Sequence, residues 1–214
     1  QQETGCSKGA KIHIEKEIPV SAGVGGGSTD AAAAANALVR LWGVDISLER
    51  LCQIGFELGV DMPVCINRKT VFVDGLGEQM TAAEPIPENG LLLVNPRVTL
   101  STPSVFARRK GGFSPTDDFI GTRAKDARHL AKLLAEREND LTDPASALVP
   151  VVREVIREIG DLDGCLLARM SGSGATCWGL FETEAAAAAA MDQLKSRQPD
   201  WWMRVSHLTS DAEG

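Results

Sequence analysis

The residues with the richest chemical potential lie in one stretch, Gly23-Val24-Gly25-Gly26-Gly27-Ser28-Thr29. Glycines let a backbone approach a ligand closely and aim successive N–H groups at one point. The stretch leads into an alanine run that begins at Ala31. Loop amides and the positive end of a helix dipole would therefore act on the same anion. Ser28 and Thr29 add hydroxyls for a phosphate or for a magnesium ion. No lysine follows the last glycine, so this is not G-x-x-x-x-G-K-[ST], and it does not fit G-x-G-x-x-G with its parallel sheet and distant acidic residue. The plainer alternative is a loop whose Ser28 or Thr29 only caps the helix.

Asp61 sits in Gly59-Val60-Asp61-Met62-Pro63-Val64, an apolar setting straight after a helical pattern. A carboxylate left unpaired in low dielectric is costly, so this setting predicts a partner or a task. The task would be that of a general base, or of a charge that orients a nucleophilic hydroxyl; the alternative is a loop-capping Asp. Met170-Ser171-Gly172-Ser173-Gly174-Ala175 is a small-residue turn that could pack against the glycine stretch and admit a nucleotide, or be a simple hairpin turn. Arg108-Arg109-Lys110, near Phe106, could meet substrate phosphates or form a solvated patch. The four tryptophans, 42, 178, 201 and 202, form no stacking stripe and read as core. The three histidines, 13, 129 and 207, are isolated and read as structural or surface groups.

The elements that must position these residues follow from periodicity. Residues 11–18 alternate as a half-buried strand ended by Pro19. A buried helix is predicted from Ala31 to Leu41, stopped by Gly43, and a second over Leu48–Leu58 behind an Ser47 N-cap. Residues 60–63 read as a loop, because the residue before Pro63 is pushed out of the helical region. Strands follow at 70–73, 91–94, 165–169, 176–181 and 203–208, with a turn at 75–77. Helices are expected from Thr102 and over 124–136, 145–159 and 184–197, and a mobile loop over 111–121. The proline-bearing stretch around 81–90 reads as the junction of two domains, 1–84 and 85–214. Strands and helices mix without regular βαβ alternation, which predicts an α+β class.

Composition narrows the partners. The chain has 214 residues, 43% hydrophobic and 24% charged, with net charge −7. Such a chain is neither disordered nor membrane-embedded, and it lacks the basic footprint of a nucleic-acid binder. Five cysteines with no Cys-x-x-Cys pair argue against a disulfide scaffold and a zinc ribbon, and for a reduced, cytoplasmic setting. No apolar run reaches membrane-spanning length, and the residues given show no basic-then-apolar pattern of the kind expected for a signal peptide. The chain begins Gln1-Gln2-Glu3 rather than with Met, which reads as a processed or partial chain.

The ensemble is more specific than its parts. Pro19-Val-Ser-Ala-Gly-Val-Gly-Gly-Gly-Ser-Thr-Asp-Ala-Ala-Ala33 resembles the phosphate loop of the GHMP kinases. The triple glycine followed by Ser-Thr-Asp resembles the 4-diphosphocytidyl-2-C-methyl-D-erythritol kinase branch of that family. Segments 58–63, 72–78, 101–106, 139–141 and 168–174 agree with it in order. The resemblance implies a two-domain fold, with a ribosomal protein S5 domain 2-like N-terminal domain, here incomplete, and a ferredoxin-like C-terminal domain. It implies γ-phosphoryl transfer from ATP, with Mg²⁺, to the 2-hydroxyl of the methylerythritol moiety, by a monomer or homodimer acting on a small-molecule substrate.

Carried over, Pro19, Val20, Ser21, Ala22, Gly23, Val24, Gly25, Gly26, Gly27, Ser28 and Thr29 would be the ATP loop. Asp61 matches the catalytic aspartate, and Phe106 an aromatic that stacks on cytosine, with Thr102 beside it. Gly172, Ser173 and Gly174 would line the site opposite the loop. Val24 for leucine, Thr29 for a second serine and Met62 for valine are departures that remove no donor. Family members also carry a strand-rich segment before the position of Lys11, with a catalytic lysine and a Tyr-His clamp for cytosine. This chain has no Tyr, and Lys8, Lys11 and Lys16 do not match that motif. The resemblance thus implies a fragment that exposes core and lacks part of the active site. The alternatives are another GHMP kinase, of homoserine or mevalonate type, or a non-catalytic nucleotide-binding fragment.

Overall fold

The computed structural model describes residues 3–75, 77, 79–114 and 121–209. The chain divides into two compact units. The first is built on Gly25–Ala83 with the described part of Gln1–Glu17, and the second on Ile18–Val24 with the described part of Glu84–Ser210.

In the first unit, α1 (Gly26–Trp42) begins five residues before the alanine run, and Gly43 closes it in a left-handed conformation, φ 65°, with its N–H reaching Val39 O at 3.1 Å. The second helix, α2 (Leu48–Leu58), is capped as its sequence predicts: the Ser47 side chain accepts from the Arg50 N–H. The third, α3 (Met62–Asn67), replaces the expected loop at 60–63. Pro63 stands in its first turn, where the missing N–H would have had no intrahelical acceptor, so the proline starts the helix instead of preventing it. Ala32, Met62 and Ile66 form the core of this unit, with Leu51, Cys52 and Cys65 packed against it. A hairpin of β1 (Val71–Asp74) and β2 (Gln79–Ala82) completes it around the expected turn at 75–77; β2 runs into the start of the expected junction at 81.

Residues 11–18 are not a strand. Ile12, Ile14 and Ile18 are exposed, and none of the described strands pairs with this stretch. Alternation fits a chain for a sheet edge but cannot supply the edge.

The second unit is a four-stranded antiparallel sheet of β3 (Gly90–Asn95), β4 (Leu167–Met170), β5 (Cys177–Phe181) and β6 (Trp202–Ser206), in the order β4-β5-β3-β6. With helices between β3 and β4 and between β5 and β6, that order is the ferredoxin-like βαββαβ arrangement. β3 is apolar on both faces: Leu92 and Val94 enter one core with Val155, Ile159, Phe181 and Leu194, while Leu91 joins Leu130, Ala131 and Leu180 on the other side. A sheet covered on both faces needs a continuous apolar run rather than alternation, which is what this strand shows.

The helices of this unit are α4 (Thr102–Arg108), α5 (Ala127–Ala135), α6 (Thr142–Leu148), α7 (Val151–Gly160) and α8 (Glu184–Arg197). The single helix expected over 145–159 is two, because Pro150 has no N–H to donate and serves as the N-cap of α7. The one expected over 124–136 starts only at Ala127, where Asp126 accepts from the His129 N–H at 2.7 Å. Of the loop predicted at 111–121, residues 115–120 lie outside the described residues. The five cysteines are free, and burial pushes the Cys177 thiol up to about 12.

Candidate active site

In the first unit the glycine stretch becomes a helix start. Gly25 is the N-cap, held in the left-handed region at φ 67°, and α1 begins at Gly26. Neither Ser28 nor Thr29 caps the helix: both lie inside its first turn, and Gly25 has no side-chain cap bond. The Thr29 hydroxyl turns back to Gly25 O at 3.1 Å. The first three N–H groups of an α-helix, here those of Gly26, Gly27 and Ser28, have no intrahelical acceptors, while the Thr29 N–H already donates to Gly25 O at 2.9 Å. With no side chain standing in, this turn presents aligned donors and a positive dipole end to an incoming anion. A Cβ on Gly27 would meet nothing within 4 Å. Space for a ligand to approach the backbone is thus open at this position.

Helices α1 and α3 pack together, and Thr29 Oγ1 lies 3.6 Å from Cys65 Sγ. Asp61 stands at the N-cap of α3, and its carbonyl accepts from the Cys65 N–H at 3.2 Å. Cys65 is four residues after Asp61, and such residues lie on one helical face about one turn, ~5 Å, apart. The carboxylate is therefore carried one turn from a residue that touches the glycine turn. The sequence places Asp61 among apolar neighbours, but the structure exposes it and gives its side chain no capping bond. Met62 and Pro63 turn into the core and leave the aspartate outside, open to solvent.

In the second unit, Ala22 and Gly23 lie against the Ser171–Gly174 turn. The Thr176 N–H donates to Ala22 O at 3.1 Å, and Ser171 Oγ donates to Gly23 O at 2.8 Å. Gly23 has φ 75°, and a Cβ there would stand 2.4 Å from Gly174 O and 2.8 Å from Ser171 O. Asn139 holds the turn from the other side, its Nδ2 donating to Met170 O at 3.1 Å and Gly172 O at 2.9 Å. Thr102, at the start of α4, shares a 2.7 Å hydroxyl bond with buried Ser173. Phe106, on the same helix, leaves half its surface, 49%, exposed. Val20 is 77% exposed, and Ser21 takes a left-handed φ of 56°.

Asn139 and Ser171 act as positioning residues: the sequence offers Asn139 only within a matching segment, whereas it places Ser171 in a turn expected to pack against the glycine stretch, and the bond to Gly23 O bears that packing out. Both act on backbone carbonyls far along the chain, and for Asn139 no local pattern carries that relation. Among the described residues no cluster of three or more His, Cys, Asp or Glu could hold a metal ion.

The family of GHMP kinases N terminal domains matches residues 1–69, and that of GHMP kinases C terminal domains matches residues 119–200. The 4-diphosphocytidyl-2-C-methyl-D-erythritol kinase of Paramagnetospirillum magneticum is 47% identical over 209 residues, 98% of this chain and 73% of that protein. The enzyme of the same name from Rhodospirillum rubrum is 44% identical over 98% of this chain and 69% of its own length. A crystal structure of 4-(cytidine 5'-diphospho)-2C-methyl-D-erythritol kinase superposes with TM-score 0.66 and 28% identity, covering 89% of this chain and 68% of the other. Homoserine kinase from Cytophaga hutchinsonii shares the fold, with TM-score 0.70 at 16% identity over 92% of this chain and 69% of its own. On the strength of these identities and of both domain matches, the chain belongs to the GHMP kinase family, and within it to the 4-diphosphocytidyl-2-C-methyl-D-erythritol kinases.

Proposed function

We propose that this protein transfers the γ-phosphoryl group of ATP to the 2-hydroxyl of 4-diphosphocytidyl-2-C-methyl-D-erythritol, a step of non-mevalonate isoprenoid precursor synthesis. The observation that carries the reading is the uncapped Gly25–Thr29 helix start with Asp61 one turn from its contact residue, in a chain 47% identical to a kinase of that name. The domains are assigned as 1–84, the remainder of the ATP-binding domain, and 85–214, the C-terminal GHMP kinase domain. The reading also places the enzyme in the cytoplasm, as a monomer or homodimer, with neither nucleic acid nor membrane as partner. Its support is the net charge of −7, the free cysteines and the lack, among the described residues, of a helix long and apolar enough to cross a membrane.

Phosphoryl transfer asks little covalent work of protein groups; alignment and charge neutralisation dominate. In this reading the first-turn amides of α1 and the residues Pro19–Val24 hold the nucleotide phosphates. The substrate 2-hydroxyl oxygen forms a bond to γ-phosphorus as the bond from γ-phosphorus to the β,γ-bridging oxygen breaks. The hydroxyl proton passes to the Asp61 carboxylate and ADP leaves. Mg²⁺ suits a donor set of this kind, since it is held mainly by substrate phosphates and water with one or two protein oxygens. Ser28 would supply such an oxygen, and the ion, when bound, would neutralise phosphate charge. Phe106 stacks on the cytosine ring, with Thr102 and Gly172–Gly174 beside the substrate.

The direct test is ADP release with 4-diphosphocytidyl-2-C-methyl-D-erythritol, with homoserine and mevalonate as controls. Turnover on the cytidine compound alone is expected; turnover on either control instead would overturn the assignment. Two substitutions probe the roles. Phe106→Ala should raise KM for the cytidine substrate by the equivalent of about 1–3 kcal/mol from lost stacking. Because the ring is half exposed, little folding stability should go with it. An unchanged KM would remove Phe106 from the pocket. Gly27→Ala should stabilise α1 by about 0.5–1 kcal/mol, since alanine is the better helix former and its methyl meets no atom. It should nevertheless raise KM for ATP, because the methyl stands where phosphate approaches the backbone. A more stable variant with unchanged ATP affinity would show that no phosphate sits there.

A further inference from the structure

The second unit holds a cleft of about 1000 Å³ between the end of α4, the residues 135–144 and β4. Neither Phe106, Thr102 nor Gly172–Gly174 lines it. Among the described residues, five cationic side chains do: Arg108, Arg109, Lys110, Arg137 and Arg169. Three carboxylates share the lining, and two are already engaged. Asp140 accepts from the Ser114 N–H at 2.8 Å and from Ser114 Oγ at 2.5 Å, and Asp143 pairs with Arg153 at 2.7 Å. Among the described residues the balance of charge in the cleft is positive, against a chain whose net charge is −7.

Arg109 is the informative group. Its Cζ lies 3.5 Å from the centroid of the Phe113 ring, and its Nη1 donates to Gly111 O at 2.9 Å. Two contacts therefore fix the plane of the guanidinium. Its other two nitrogens, Nε and Nη2, are buried and have no hydrogen-bond partner among the described residues. Together they form the side edge of the guanidinium, which matches two oxygens of one phosphate. Buried donors without acceptors are a standing cost to the fold, and an anion that reaches them has no hydration shell there to displace. Arg169, on β4, lies in the same cleft; burial lowers its guanidinium from the ordinary value, Glu138 opposes that effect and Arg137 adds to it. A polyanion would favour the charged form of each.

We propose that this cleft is a binding site for a small molecule bearing a diphosphate group, with the Nε/Nη2 edge of Arg109 gripping one phosphate and Arg169 facing the other. Such a volume is at the upper end of ordinary ligand sites, about 300–1,000 Å³, and takes a diphosphate with an organic substituent. The site is independent of the reading of Asp61 and the glycine turn, which belong to the other unit.

The test is isothermal titration of the protein with inorganic pyrophosphate at constant ionic strength, with a non-hydrolysable ATP analogue absent and then saturating. Pyrophosphate should bind in both cases. Arg109→Lys, which keeps the charge and loses the paired edge, should weaken it by about tenfold or more, as bidentate geometry demands. Arg169→Gln, a second probe should Arg109→Lys fail to fold, should weaken it comparably. With the ATP analogue saturating, so that the glycine turn is occupied, Asp61→Asn and Gly27→Ala should leave it unchanged. Absence of binding would overturn the proposal. So would displacement by the ATP analogue together with indifference to both arginine variants, which would put pyrophosphate on the glycine turn. Equal heats from sulfate at matched ionic strength would reduce the cleft to a nonspecific positive patch and overturn it as well.

Discussion

Asp61→Asn should lower turnover on the cytidine substrate by about 10²–10⁴-fold, the usual worth of a positioned base, while ATP affinity and thermal stability stay essentially unchanged. The structure makes this separation possible. Asp61 is exposed, and its side chain makes no capping bond, so exchange of one oxygen for an amide nitrogen removes no contact that holds α3 in place. Its backbone carbonyl, which accepts from the Cys65 N–H, is retained. What goes is the negative charge and the ability to accept a proton. Measured as kcat and KM for each substrate beside an unfolding curve, the loss should fall on kcat alone. Full turnover in the Asn variant would dismiss Asp61 as base and as orienting charge. A fall in KM for ATP, with kcat intact, would mean that the carboxylate only repels the nucleotide phosphates.

That prediction rests on a residue the sequence singled out for a reason the structure revises. Apolar neighbours on both sides placed Asp61 in a low-dielectric setting, yet Met62 and Pro63 enter the core and Asp61 does not. Sequence proximity gives composition but not the side of the chain that faces inward; for a residue at a helix start, that side is decided by the helix, here α3, which Pro63 disguised as a loop. Where the deciding interaction is local, reading was accurate. Ser47 caps α2, Gly43 ends α1, and α8 spans the predicted residues 184–197. Where a partner must come from elsewhere, it was less reliable. The alternation of residues 11–18 could not reveal that no described strand would lie beside it. The bonds from Asn139 to Met170 and Gly172 span 31 and 33 residues, beyond the reach of any local rule. The packing of the 170–175 turn on the glycine stretch is the exception: it is expected from the sequence, and Ser171 bonds Gly23 O across 148 residues. Ser28 and Thr29 show the intermediate case. Both are good caps by type, yet Gly25 takes the capping position because its left-handed conformation is cheap only for glycine.

The same loop supplies the sharpest structural test, because its glycines are glycine for different reasons. Gly25 has φ 67° and open space where a Cβ would stand, so Gly25→Ala meets only backbone strain, about 1–2 kcal/mol for a left-handed residue. Gly23 has φ 75° and, in addition, backbone on the far side of the missing methyl: Gly174 O at 2.4 Å, Gly174 N at 2.8 Å and Ser171 O at 2.8 Å. None of these atoms is the end of a flexible side chain. Relief requires the two backbones to part, which strains or breaks the Ser171–Gly23 and Thr176–Ala22 bonds, each worth about 1 kcal/mol. Strain and lost bonds together put Gly23→Ala at roughly 3–5 kcal/mol. With about 2–4 °C lost per kcal/mol in a chain of this size, its melting temperature should fall by on the order of 10 °C, against a few degrees for Gly25→Ala. Activity should follow stability for Gly23→Ala, since the turn that carries Gly172–Gly174 is the surface being pushed away. Equal melting temperatures for the two variants would mean that the segment 19–24 does not rest on the Ser171–Gly174 turn, and the contact would then contribute nothing to holding either one.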